Sequence, residues 1–147
     1  MSFSITLGKE VLTEFDEPVL QGQIEIDGHT EDFFAPTEYW SRNEYLSSWK
    51  KSLTQGLREG DHAVLVTSMR DPEVSNFIFY WIIFIEGGQA YVQNRILFLE
   101  EISEPFDPGK INSYVSRRAE FNEDGLEISQ WKVDVSSIRD FLDELSN

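Results

Sequence analysis

Cysteine is missing from this 147-residue chain. No disulfide framework, thiolate nucleophile or zinc–thiolate site can be built, which fits a reducing cytosol. Histidine is scarce as well, with His29 and His62 alone, and their spacing offers no dense ligand set for a metal. Nucleophile elbows, phosphate-cradling loops, internal repeats and low-complexity tracts do not occur. Bases are also in short supply: 12 Lys and Arg stand against 27 Asp and Glu, a net charge of −15. Such a surface repels nucleic acid and anionic membranes and attracts basic partners. Carboxylate pairs are so frequent in this background that they say little about acid–base catalysis. The expectation is a protein with no catalytic residues, no metal and no cofactor.

The most apolar stretch, "FIFYWIIFIEGGQAYVQNRILFL" at 77–99, falls short of the ~20 uninterrupted apolar residues that a spanning helix needs, because it breaks at Glu86-Gly87-Gly88. Neither a signal peptide nor a transmembrane segment is expected. Gly-Gly between apolar runs signals a hairpin, since a two-residue primed turn needs positive φ. Both glycines are expected there. The register then pairs Ile85 with Ala90, Ile83 with Val92, Trp81 with Asn94 and Phe79 with Ile96 on a nearly apolar, well-covered face. The opposite face, with Phe84/Tyr91, Ile82/Gln93, Tyr80/Arg95 and Ile78/Leu97, is expected to be only partly covered. Arg95 is read as stacking on Tyr80, fixing register and pairing with a carboxylate.

Elsewhere, residues 3–7, 19–27, 30–35 and 62–69 read as strands, and 126–135 as another. Ser41 and Glu44 form a capping-box pattern with Trp40 and Tyr45 at the staple positions. Tyr45, Trp49, Leu53 and Leu57 recur every four residues, which predicts an amphipathic helix ending near Gly56. Ser136 or Ser137 is expected to cap a last helix carrying Ile138, Phe141, Leu142 and Leu145 on one face. Residues 110–122 give no clear pattern. The fold class is α+β: one domain over 1–147, with a central antiparallel sheet, a long hairpin at 75–99 and two main helices at 41–56 and 137–146.

Acids are unevenly distributed. Residues 1–35 hold eight of them and a single base, Lys9. Two clusters are candidate partner-binding sites: Glu14, Asp16, Glu17, Asp27, Glu31 and Asp32, then Glu100, Glu101, Glu104 and Asp107. The first is favoured, because so little internal pairing is available there. Among the aromatics around the first helix, Trp49 belongs to the core and Trp40 to the staple, leaving Tyr39 as the candidate interface anchor. Two histidine readings are open. His29 near Asp27, Glu31 and Asp32 could serve a small metal-dependent hydrolase, or simply be solvated in a polar turn; His62 reads as a loop-edge residue.

"YWSRNEYLSSWKKSL", "AVLVTSMRDPEVSNFIFYWIIFIEGGQAYVQNRILFLEE" and "DGLEISQWKV" together resemble the immunity proteins of bacterial contact-dependent growth inhibition systems. The similarity lies in the order and spacing of Trp40-Ser41, Glu44-Tyr45 and Trp49, then Thr67-Ser68-Met69, Gln93-Asn94-Arg95 and Ile128-Ser129-Gln130-Trp131. It spans roughly residues 39–133. Gln130 stands where the pattern has Glu. The resemblance implies a small cytoplasmic protein that binds the toxic C-terminal domain of a large surface exoprotein, often a nuclease; a monomer is expected. A nuclease groove is basic, so an acidic surface could occupy it. An acidic adaptor for some other basic partner is the remaining alternative from composition.

Overall fold

The computed structural model describes residues 2–115, 118–122 and 124–146. Strands β1 (Phe3–Glu14), β2 (Glu17–Ile26) and β3 (His29–Pro36) precede helix α1 (Arg42–Glu59). Then come β4 (His62–Ser68), β5 (Phe77–Glu86) and β6 (Gln89–Phe98), two short 3-10 turns (Leu99–Glu101 and Pro108–Tyr114), β7 (Gln130–Asp134) and helix α2 (Val135–Ser146). The α+β class holds, but the strands fall into two antiparallel sheets, β1-β2-β3 and β4-β5-β6-β7. Helix α1 is the reason. It lies along the outer side of β4, so the N-terminal strands cannot extend that sheet.

Helix α1 begins as its sequence requires. Ser41 Oγ accepts from Glu44 N, Glu44 returns a bond to Ser41 N, and the Trp40 and Tyr45 rings meet edge-on at 5.1 Å. It ends later than Gly56, at Gly60, whose φ of 68° closes the last turn. Gly56 is inside the helix for a packing reason: an added Cβ would lie 2.4 Å from the His62 carbonyl oxygen. Helix and strand touch there. Three buried side chains seal the contact: Trp49 Nε1 donates to Val66 O at 2.7 Å, Ser52 Oγ accepts from Val64 N at 2.8 Å, and Tyr45 Oη accepts from Met69 N at 3.0 Å.

The β5–β6 register matches the expected pairs throughout, from Glu86↔Gln89 to Phe77↔Phe98. At the turn only Gly87 has positive φ (64°), and Gly88 does not. That fits a II′ turn, which needs a left-handed residue only at its first central position. Strand β7 is shorter than expected, starting at Gln130, and it runs directly into α2. Ser136 and Ser137 therefore sit within the first turn of α2 and neither precedes it as a cap. The apolar faces of both sheets and helices join in one continuous core, with Trp49, Tyr45, Leu65, Ile82 and Ile83 fully buried.

The α1–β4 contact and the buried phenols can each be tested. Ala is a better helix former than Gly by ~1 kcal/mol, yet Gly56→Ala should destabilise by about 1–3 kcal/mol, because the helix must lift off the strand; urea unfolding measures it. Burial pushes the phenols of Tyr45 and Tyr80 above their ordinary value of 10.0. Above that value the unfolded chain ionises them while the native chain holds the protons, so stability present at neutral pH is lost as pH rises past about 10. Denaturation midpoints on either side of pH 10 should show that fall, with Tyr45→Phe flattening it.

Candidate partner-binding surface

The turn joining β1 to β2 is made of Phe15 and Asp16, both left-handed at φ 53° and 62°. A two-residue turn of this kind normally uses Asn-Gly, because a side chain with positive φ is strained. Phe15 is 86% exposed. Just beyond it, Glu17 receives two hydrogen bonds from the Arg70 guanidinium, at 3.2 and 3.0 Å, and Arg70 also donates to Ser68 Oγ at 2.8 Å. These bonds fasten the turn to the end of β4. Between them opens a cleft of about 300 Å³ lined by Glu17, Glu38, Tyr39, Arg70, Asp71 and Val74.

Beside that cleft, the open end of the β5–β6 hairpin carries an uncovered apolar strip. Phe77 faces Phe98 and Phe79 faces Ile96 across the strands, and the Phe77 and Phe79 rings meet edge-on at 5.3 Å. Trp81 on the same face is 3% exposed, but Phe79 is 38% and Ile96 45% exposed. The expected covering holds from Trp81 to Ala90, where Ile83 and Val92 are fully buried, and departs from the expectation at the open end. The face expected to be well covered is bare at its end. The face expected to be partly covered is closed by the chain after β6, where Gln93 is fully buried and donates to Ala119 O.

The sequence-expected acids are divided by the folded chain. Glu14, Asp16 and Glu17 stand at the β1–β2 turn, while Glu31, Asp32 and Asp27 lie toward the far end of the ten-residue β2, about 20 to 30 Å away at 3.3 Å per residue. Glu31 bonds His29 at 2.8 Å and Asp32 accepts from Gln23 at 3.1 Å on the opposite face of the sheet. The expected lack of internal pairing fails at Glu17, which Arg70 holds. In the second group, Glu100 and Glu101 follow the apolar strip, Glu104 is exposed in the loop beyond, and Asp107 caps the second 3-10 turn by accepting from Gly109 N. Tyr39, 42% exposed, lines the cleft as an interface residue could.

Sequence reasoning did not single out Phe15, Glu38, Asp71, Val74 or the strip. A signal existed for the first: "EFDE" between two strands is a turn with no glycine and a phenylalanine at its tip. Arg95 stands opposite Tyr80 and interacts with its phenol as expected, but its ring contact and its main hydrogen-bond partner differ. Its guanidinium lies over Phe84, 5.4 Å from the ring centre, and bonds Gln93 Oε1 in place of a carboxylate. His29 is not simply solvated, since its ring stacks on Trp131 at 4.5 Å. His62 is more than a loop-edge residue: its Nε2 meets the Asn112 carbonyl. Among the described residues, no group of three or more His, Cys, Asp or Glu could hold a metal, and no helix is long and apolar enough to cross a membrane.

The chain matches the family model described as the CdiI N-terminal domain over residues 35–141. It belongs to the CdiI family. The immunity protein CdiI of Enterobacter cloacae subsp. cloacae is 38% identical over 145 residues, with 99% of each chain covered. A chain of the CdiA-CT/CdiI toxin and immunity complex from Enterobacter cloacae superposes with a TM-score of 0.93, again at 38% identity and 99% coverage of both. As a member of the CdiI family, the protein is an immunity protein of a contact-dependent growth inhibition system and not an enzyme. The hydrolase reading of His29 is thereby set aside.

The Glu17–Arg70 bridge is partly exposed and should add little to global stability. Arg70→Ala is expected to cost less than about 1 kcal/mol, yet to loosen the β1–β2 turn. Faster amide exchange confined to residues 13–18 would show it.

Proposed function

We propose that this chain binds and neutralises the C-terminal toxin domain of a CdiA exoprotein in the cytoplasm, that the toxin is a nuclease, and that an acidic surface of the chain meets its basic groove. What carries the reading is its near-complete alignment, in sequence and in fold, with a chain solved in a toxin and immunity complex. The excess of 27 acids over 12 bases supports the electrostatic part. A groove built to bind polyanions is rich in Lys and Arg, and complementary charge steers encounter while anchors and desolvated pairs set the dissociation rate.

Glu14, Asp16 and Glu17 stand with Glu38 and Asp71 at the cleft end, and Glu100 and Glu101 follow the neighbouring strip. These supply the contact charge. Asp27, Glu31, Asp32, Glu104 and Asp107 lie away from that end and act through the general field. The same field disfavours self-association, so the free chain is read as a monomer.

Co-expression with the toxin domain should protect cells, and the two purified chains should associate in a salt-dependent manner. Reversing Asp16, Glu38 and Asp71 to lysine should slow association by about tenfold at low salt with the fold retained. Association indifferent to salt, together with full protection by the reversed chain, would reduce these acids to a solvated face.

A further inference from the structure

Seven of the eleven exposed large apolar side chains among the described residues lie at the end that holds the cleft: Phe15, Tyr39, Val74 and the strip of Phe77, Phe79, Ile96 and Phe98. A contiguous apolar surface that folding leaves open marks a place of contact. Phe15 adds a second, independent observation. It occupies a left-handed position that disfavours it, projects 86% of its surface, and gains no burial in return. Strain held at an exposed aromatic, where Asn would be relaxed, has no folding purpose in the free chain.

We infer that this end is the face that docks the toxin, with Phe15 as the anchor that inserts into the partner and the strip as the apolar floor beside it. The inference rests on the toxin-binding reading above. The occupant is a partner with an apolar centre and a basic rim, because Glu14, Asp16, Glu38, Asp71 and Glu73 surround the apolar residues. A second copy of this chain does not fit. A twofold interface sets each patch against itself, which here would press these acids against one another.

Two variants and a control separate anchor from scaffold. Replacing the turn by its relaxed form, Phe15→Asn with Asp16→Gly, should leave the melting temperature unchanged or higher while dissociation from the CdiA toxin domain becomes at least about tenfold faster. Phe79→Thr with Ile96→Thr keeps strand-compatible residues on the strip and should likewise speed dissociation by about tenfold. Phe121→Ser with Leu126→Ser removes exposed apolar residues elsewhere and should stay within about twofold of wild type. Wild type is measured in parallel, and its failure to bind the toxin domain would overturn the functional reading itself. With wild-type binding intact, dissociation unchanged in either test variant, or a melting temperature lowered by the turn replacement, would overturn this one. So would a wild-type dimer that the strip variant converts to monomer with toxin binding unaffected.

Discussion

The outer edge of β4 is the constraint on which the rest of the structure depends. An edge strand presents unpaired N–H and C=O groups, and buried ones must find partners. Here they find them on α1. Trp49 donates to Val66 O, Tyr45 Oη takes Met69 N–H and gives its own proton to Pro36 O, and Ser52 with Asn112 Oδ1 takes Val64 N–H. The helix thus stands where another strand would, at a separation that only Gly56 permits. An indole and a phenol are each buried with their polar atoms satisfied, which is what makes large aromatics tolerable there.

Two consequences reach the cleft end. Tyr45 joins the ends of β3 and β4 through Pro36 O and Met69, so Glu38-Tyr39 and Arg70-Asp71 emerge side by side. Arg70 then reaches across to Glu17 and positions the Phe15 turn. The cleft is therefore assembled from three separate stretches of chain, each located by the seating of α1. Asn112 does the same for the other side of the molecule, pinning the second 3-10 turn to α1 and β4 through Ser52 and Val64.

What could be read from the sequence was what local chemistry determines. The Gly87-Gly88 break sets a register with period two, so every β5–β6 pair followed from one turn. The capping box and staple likewise needed no information beyond ten residues. Legibility ended where distant segments decide. Gly56 resembles a helix terminus and is a contact point with His62, which no helical pattern reveals. Acids of one sequence cluster, such as Asp16 and Asp27, are held apart by the length of β2, while Glu17, Glu38 and Asp71 are gathered by tertiary packing. Gln93 resembles a surface residue in an apolar strand because its partner, Ala119 O, comes from a segment with no pattern of its own.

The two kinds of exposed residue at the cleft end also obey different physics. Acids act over distance, within about 8 Å at physiological ionic strength, and tolerate repositioning along a strand. An anchor must be placed to within a side chain's width. That difference explains why charge was visible in composition while the apolar contacts were not. An excess of carboxylates survives any folding of the chain, but Phe15 is recognisable only once its left-handed backbone is seen, and Phe79 only once the covering of its face is seen to stop at Trp81. Most of the large apolar side chains that folding leaves exposed among the described residues are concentrated at that one end, where a partner could cover them.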